Sequence, residues 1–281
     1  MNYDYKIVVD SCCELPDEYL DDPRFEIVPL TLMVGEHTII DDDTFDQVDF
    51  LKKVAECPEC PKSACPSPER FMEAYHCDAK RVYCVTLSSK LSGSYNSAHL
   101  AIGLHEETYG EKDIHVFDSL SASVGETQIA LKIVDLEEKG LSFDDIVAEV
   151  EKYRDEMQTI FVLDNLETLR KNGRMSKLKS FVASTLNIKP VLYAVSGEIA
   201  QKSQAIGVKK AMTKLADLID EMTVRGDDHM RLIISHCNNL ERAEMVKQLI
   251  LSRRLFDEVI ILNDRGVSTM YANEGGIIVT A

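Results

Sequence analysis

Short apolar runs alternate with longer segments of helical period along most of the 281 residues. The runs at residues 6–9, 82–87 and 114–117 have the length and composition of buried strands. A later segment repeats apolar residues every third or fourth position, which predicts an amphipathic helix. The apolar stripe of that helix comprises Val208, Ala211, Met212, Leu215, Leu218, Ile219 and Met222. This alternation predicts an α/β fold whose strands lie side by side.

The alternation of predicted strands and helices changes near the middle of the chain. Two helical segments follow one another before Met157, broken at Gly140, and a strand pattern resumes at residues 159–163. We therefore predict two α/β lobes, an N-terminal lobe of residues 1–157 built on a parallel sheet and a C-terminal lobe of residues 158–281. The strand directions in the second lobe cannot be read from the pattern. In the first lobe, residues 26–34 are predicted to form one strand, at an edge or irregular because of Pro29.

Charge and hydropathy exclude several classes of function. The formal net charge is −17, from 48 acidic and 31 basic residues, so a nucleic-acid backbone would be repelled over most of the surface. No apolar run approaches the roughly 20 residues that span a bilayer, and the first residues carry acid where a signal peptide needs base. We expect a cytoplasmic protein without stable membrane insertion, whose eight cysteines are thiols or metal ligands.

Three predicted strands of the first lobe end directly in polar pairs: Asp10-Ser11, Ser88-Ser89 and Asp118-Ser119. In a parallel sheet these turns lie at one edge, where open α/β sheets bind ligands. Alternatively, each pair merely caps a helix. The second pair opens a hydroxyl-rich turn at residues 87–98, where free N–H groups of a helix start and serine hydroxyls favour an anion. Such a turn suits holding a carboxylate or phosphate better than cleaving a bond.

Catalytic signatures are missing from the sequence. It contains no Gly-x-Ser-x-Gly elbow, no phosphate loop, no Gly-x-Gly-x-x-Gly and no His-Glu-x-x-His. Among the seven histidines, His236 alone follows an apolar run at a predicted strand end, where it is either a contact to a ligand or a structural side chain. We therefore predict no catalytic residue and no cofactor.

A Cys-x-x-Cys pair at Cys57 and Cys60, with Cys65 and Cys77 downstream, has the first half of a zinc pattern. The second Cys-x-x-Cys is absent, so three interpretations remain: a structural zinc, a redox pair, or unpaired thiols in a proline-rich loop. The last of these is favoured, and no metal site is predicted.

Two segments carry a family resemblance. Residues 62–68 (Lys-Ser-Ala-Cys-Pro-Ser-Pro) and 87–98 (Leu-Ser-Ser-Lys-Leu-Ser-Gly-Ser-Tyr-Asn-Ser-Ala) resemble the signature segments of the DegV family of bacterial fatty-acid-binding proteins. Further matching segments follow in the same order. They are Val9-Asp10-Ser11, Ile27-Val28-Pro29-Leu30, Val116-Phe117-Asp118-Ser119, residues 169–176 with their Asn-Gly-Arg, and Ile188-Lys189-Pro190-Val191-Leu192.

The resemblance implies a two-lobe DegV-like (EDD) fold that buries one long-chain fatty acid, such as one of the palmitate class, between its lobes. It also implies that the carboxylate is presented to a separate fatty acid kinase, which uses ATP, so that this chain is not catalytic alone. By position in the family pattern, Ser63 and Ser89 hold the carboxylate, and Ser92, Gly93 and Ser94 shape the turn around it. Alternatives are a lipid-sensing regulatory module and a kinase-like enzyme for small molecules.

The chain departs from the family pattern at the predicted site. Ser63 stands where threonine is usual, which keeps the hydroxyl, and Ala64-Cys65 replace a Ser-Gln pair. Near the carboxyl terminus the family usually carries a histidine, which this sequence lacks. That contact is then lost or passes to Ser268, Thr269 or Tyr271.

Basic residues cluster between positions 170 and 179 of an otherwise acidic chain. They are Arg170, Lys171, Arg174, Lys177 and Lys179. This patch either docks an acidic partner or steers the carboxylate of the ligand, with Arg174 as the candidate ligand contact. The alternative is a solvated helix end whose basic residues complement the helix dipole.

Overall fold

The computed structural model describes residues 3–175, 187–224 and 229–281. In chain order the elements of these residues are β1 (Tyr5–Asp10), α1 (Asp17–Leu20), β2 (Phe25–Val28), β3 (Thr31–Val34), β4 (His37–Ile40), α2 (Gln47–Glu56), β5 (Lys62–Ala64), α3 (Pro68–Tyr75), β6 (Arg81–Thr86), α4 (Ser94–Tyr109), β7 (Asp113–Asp118), α5 (Val124–Glu138), α6 (Phe143–Glu156), β8 (Thr159–Val162), α7 (Glu167–Lys171), β9 (Ile188–Val195), β10 (Glu198–Ile206), α8 (Val208–Met222), β11 (Arg231–His236), α9 (Leu240–Leu251), β12 (Glu258–Asn263), α10 (Gly266–Ala272) and β13 (Ile277–Thr280).

The first sheet is parallel, in the order β2-β1-β6-β7. Its central strands are buried on both faces, which explains their continuous apolar sequences. The predicted α/β class is confirmed, and the polar turns after β1, β6 and β7 lie at one edge. They are bonded to one another there: Asp10 accepts from the N–H of Leu87 at 3.0 Å, and Asp118 accepts from the N–H of Ser89 at 3.0 Å.

The prediction of a single strand over residues 26–34 is wrong. Pro29, which has no N–H to donate and a fixed φ, lies between β2 and β3. The two strands join different sheets: β2 pairs with β1, whereas β3 pairs antiparallel with β4 and with β5. This small sheet carries Ser63 at the centre of β5, opposite Leu32 of β3.

The second sheet is mixed, in the order β10-β9-β8-β13-β11-β12. Only β11 and β12 of these neighbouring strands run parallel, so the sheet joins one parallel pair to an antiparallel array. The predicted stripe of α8 packs on it, as Leu215 and Ile219 share a core with Ile160 of β8 and Ile234 of β11.

Helix α5 lies between the two sheets. Ile129 and Ile133 belong to the core of the first sheet, whereas Val124 and Leu131 pack against Ile233 of the second. Most residues of α5 are buried, polar ones such as Glu126, Thr127 and Gln128 among them, because the helix has little solvent-facing surface. The division at residues 157 and 158 stays a prediction. Among the described residues, no helix has the length and apolarity to cross a bilayer.

Candidate functional site

A cavity of about 330 Å³ lies between the two halves of the chain and is walled mostly by apolar side chains. Its size is within the range of about 300–1,000 Å³ typical of small-molecule sites. From the first half it is lined by Cys12, Leu30, Ser63, Ala64, Cys65, Leu87, Leu91, Ser92, Gly93, Leu120, Ser121, Ala122 and Ser123. From the second half it is lined by Thr159, Phe161, Leu163, Leu169, Arg174, Ala194, Gly197, Glu198, Ile199, Val267, Ser268, Tyr271, Ala272 and Ile278.

The mouth of the cavity is formed by β5 and the hydroxyl-rich turn. Cys65 and Gly93 are exposed there, and a Cβ on Gly93 would lie 2.9 Å from the Cys65 sulfur. Glycine therefore lets β5 and the turn approach closely. Ser92 accepts a hydrogen bond from the N–H of Ser94 at 3.2 Å, which fixes its hydroxyl at the start of α4.

Arg174 brings a positive charge to the same wall. Its Nε donates to the carbonyl of Leu91 at 3.2 Å, and its Nη1 donates to the carbonyl of Asn172. The guanidinium thereby ties the segment after α7 to the hydroxyl-rich turn while lining the cavity. A cation held by neutral carbonyls keeps its charge available to a ligand.

Helix α10 supplies the mouth with a third polar group. The Tyr271 hydroxyl lies 3.3 Å from that of Ser63, so two hydroxyls from opposite ends of the sequence meet. The helix is positioned at its start by Asp41, which accepts from the N–H groups of Gly266 and Val267, each at 2.9 Å.

The predicted site residues divide into two groups. Ser63, Ser92, Gly93, Arg174 and Ser268 line the cavity; Ser89, Ser94 and Thr269 are not among its lining residues.

Local hydrogen bonds and burial account for the positions of Ser89, Ser94 and Thr269 outside the cavity lining. The N–H of Ser89 donates to Asp118 at the sheet edge, and Ser94 is buried in the first turn of α4. Thr269 lies on the far side of α10 from Tyr271, where its hydroxyl donates to the carbonyl of Asp264 at 3.1 Å. Their roles as ligand contacts stay predictions.

The hairpin between β9 and β10 forms part of the cavity wall beside the hydroxyl-rich turn, because Gly197 at its tip lines the cavity. Ser88 donates to the carbonyl of Gly197 at 2.7 Å, and Gly197 adopts a φ of +81°. A Cβ at Gly197 would lie 2.5 Å from the Ser88 hydroxyl. The sequence predicts no such contact, although Ser196-Gly197 is a pair of residues typical of a turn.

Buried carboxyl groups lie behind the cavity wall. One ligating atom each from Asp10, Cys12 and Glu126 lies within 4.8 Å of the others, and all three residues are buried. Burial raises the pKa of Asp10 to about 6, against hydrogen bonds from the backbone of Leu87 and Cys12 that lower it. Burial, and then the charge of Asp10, raise the pKa of Glu126 well above its usual value. The pair therefore favours one shared negative charge over two.

The remaining candidates lie elsewhere. In the described part of the chain, no group of three metal-ligating side chains includes Cys57, Cys60 or Cys65. His236 is outside the cavity lining, and its Nδ1 accepts from the N–H of Asn239 at 3.1 Å, which is a structural role.

Only part of the predicted basic patch lies within the described residues. Arg170 pairs with Glu167 at 2.7 Å on the exposed surface, and Lys171 ends α7. Lys177 and Lys179 lie outside the described residues.

The fold and the site define a class of protein. In this class, two α/β halves enclose an apolar cavity whose mouth carries hydroxyls and one guanidinium. Residues 4–280 match the family described as "Uncharacterised protein, DegV family". The chain belongs to the DegV family, as the sequence resemblance predicted.

Relatives cover the whole chain. A DegV domain-containing protein of Streptococcus pneumoniae is 34% identical over 279 residues, 98% of this chain and 97% of the relative. A DegV family protein from Ruminococcus gnavus, solved with vaccenic acid, is 50% identical, with a TM-score of 0.97 and 100% of both chains covered. The S. pneumoniae Fatty Acid Kinase (Fak) B3 protein, loaded with linoleic acid, is 32% identical, with a TM-score of 0.88 and 99% of both chains covered.

Proposed function

We propose that this protein binds one long-chain fatty acid in the cavity and presents its carboxylate to a separate fatty acid kinase. The observation that carries the proposal is the polarity of the cavity, whose apolar walls lead to a mouth with Ser63, Ser92, Arg174 and Tyr271. The relatives solved with vaccenic and linoleic acids support it.

The acyl tail supplies most of the affinity in this proposal. Each methylene moved from water into an apolar wall contributes about 0.8 kcal/mol. Such a wall is offered by Phe161 and Ile278 of the second sheet, by Leu163 directly after β8, and by Leu30 and Leu87 of the first half.

The head group meets hydrogen-bond donors. In the proposed arrangement the hydroxyls of Ser63, Ser92 and Tyr271 donate to the carboxylate, while Arg174 stabilises its charge. Ser92 replaces Ser89 in this role, since Ser92 lines the cavity and Ser89 does not. Because the mouth is exposed at Cys65 and Gly93, the carboxylate faces a surface that a second protein can reach.

The protein itself acts as carrier rather than catalyst in this proposal. The described lining residues include no histidine and a single carboxylate, Glu198. They therefore lack the pairing of nucleophile and base that acyl or phosphoryl chemistry uses. The kinase supplies that chemistry, and this chain supplies a bound, oriented carboxylate.

Two measurements test the proposal. Denaturing mass spectrometry of protein purified from its host should recover one fatty acid for each chain; an empty or nucleotide-loaded cavity would contradict it. Addition of a bacterial fatty acid kinase and ATP should then convert the bound acid to an acyl phosphate. Bound lipid that no such kinase phosphorylates would refute the presenting role while leaving the binding role intact.

A matched pair of variants links the bound lipid to this cavity. Ala194→Phe fills the cavity from β9 and should abolish loading. Ala200→Phe, on the adjacent strand β10 and outside the lining, should leave loading intact.

A further inference from the structure

A pair of hydroxyls lies among the apolar side chains of the cavity wall, separate from the lining residues Ser123 and Ser268. The oxygens of Ser121 and Thr159 lie 2.7 Å apart, and both residues line the cavity. Ser121 is 3% exposed and Thr159 is 5% exposed, whereas Cys65 and Gly93 at the mouth are exposed. The hydroxyl pair is therefore a buried part of the wall, unlike the exposed mouth, and in the proposed binding mode the acyl chain passes along such buried wall.

The pair has one more donor than it can use. It contains two O–H groups, and a single hydrogen bond joins the two oxygens, so one proton is left without an acceptor. Within the described ranges, neither hydroxyl has another hydrogen-bond partner. The spare donor belongs to a residue that faces the cavity, and an oxygen on a ligand can accept it.

The surrounding backbone fixes the position of the pair. Ser121 is held by Ser119, whose hydroxyl accepts from the Ser121 N–H and donates to the Ser121 carbonyl, both at 3.1 Å. Thr159 is aligned with Thr280 in the second sheet. A Cβ on Gly125 would lie 2.0 Å from the Ser121 hydroxyl, so the glycine leaves room for that hydroxyl. The two donors are preorganised before a ligand arrives.

We infer that the cavity selects fatty acids that carry a hydroxyl or keto oxygen on the acyl chain, and that Ser121 and Thr159 bind that oxygen. The inference rests on the proposed fatty-acid-binding function. An unsubstituted chain would leave a buried O–H without an acceptor, whereas an oxygenated chain satisfies it. A chain oxygen also finds its own partner there instead of being buried without one.

A competition series tests the selectivity. Octadecanoic acid competes against octadecanoic acids that carry one hydroxyl at different carbons along the chain, and dissociation constants are measured by displacement of a fluorescent fatty acid. One positional isomer should bind about 3- to 10-fold more tightly than the unsubstituted acid. Isomers with the hydroxyl far from that position should bind more weakly.

Variants separate recognition from structure. The double variant Ser121→Ala/Thr159→Val should lose the preference and bind the unsubstituted acid at least as well as the wild type does. Thr159→Val alone leaves the Ser121 hydroxyl and should keep part of the preference. Thr280→Val is the matched control, because it makes the same change at the neighbouring strand position, outside the cavity lining.

The results of these assays distinguish a failure of the inference from a failure of the proposed function. If the wild type binds octadecanoic acid but prefers no hydroxylated isomer, or if the double variant keeps the preference, the inference is refuted and the proposed function stands. An equal loss of affinity for substituted and unsubstituted acids in a folded double variant would mean that the pair is structural or holds the carboxylate. If no fatty acid of either kind binds the wild type, the proposed function itself fails.

Discussion

Replacing Asp41 with alanine tests how the mouth of the cavity is held. The Asp41 carboxylate is fully buried and accepts three hydrogen bonds, from the Ser11 hydroxyl and from the N–H groups of Gly266 and Val267, each at 2.9 Å. A Cβ on Gly266 would lie 2.3 Å from its Oδ1, so the helix start is fitted closely around the carboxylate. Alanine leaves all three donors without this acceptor.

The expected loss follows from the donor count. A buried donor left without a partner costs about 1–3 kcal/mol, so three donors cost at least about 3 kcal/mol. Part of this is offset, because burial raises the pKa of Asp41 and the variant no longer buries that charge. We expect a net loss of roughly 2–4 kcal/mol in the free energy of unfolding, which lowers Tm by about 3–7 °C in a chain of this size.

The loss of stability is measured by urea denaturation of Asp41→Ala, with Asp46→Ala as the control variant. Asp46 is an exposed N-cap whose side chain accepts from the N–H of Asp49 at 2.9 Å, so its loss should cost about 1 kcal/mol. Fatty acid binding should weaken in Asp41→Ala only, because α10 carries Tyr271. If the two variants lose equal stability, the reasoning from buried donors is wrong.

Three further outcomes are expected. Tyr271→Phe removes the hydroxyl beside Ser63 and should weaken fatty acid binding about 2- to 10-fold in a displacement assay; unchanged affinity would mean that the carboxylate binds elsewhere. Because burial raises the pKa of Glu126 well above 4.5, the folded state keeps a proton that the unfolded chain loses, and wild-type stability falls as pH rises above that value. Glu126→Gln should therefore be stabilised relative to the wild type at about pH 8 but not at about pH 4 in urea titrations, and an equal difference at both would contradict the assignment. Gly197→Ala combines a positive φ with a Cβ 2.5 Å from the Ser88 hydroxyl and should cost about 1–3 kcal/mol by the same method; a neutral effect would show that the hairpin tip relaxes freely.

Local patterns in the sequence were enough to predict the α/β class, the parallel first sheet and the shared edge of its polar turns. These patterns gave a wrong prediction where the chain passes from one sheet to another. Pro29 ends one strand and lets the chain join another sheet, and only the tertiary pairing decides whether such a proline is an irregularity or a boundary. Strand directions in the second sheet depend on long-range pairing in the same way.

The candidate site was predictable in part for a related reason. Ser63, Ser92 and Arg174 lie in segments with recognisable motifs, and all three line the cavity. The choice of Ser89 over Ser92 could not be tested without geometry, since both belong to one serine-rich turn and the start of α4 decides which hydroxyl faces inward. Ser121 and Thr159 carry no local signal, because each is an ordinary polar residue until the fold brings their hydroxyls together.

Helix α5 has a consequence for cooperativity. Ile129 and Ile133 on one face complete the first core, and Val124 and Leu131 on the other complete the contact with Ile233. A fragment cut at residue 157 would keep α5 but expose its second face, and the remaining half would lose the cover of its sheet. The two halves should therefore unfold in a single transition, and a ligand of the proposed kind should enter the cavity by local opening at the mouth rather than by separation of the halves.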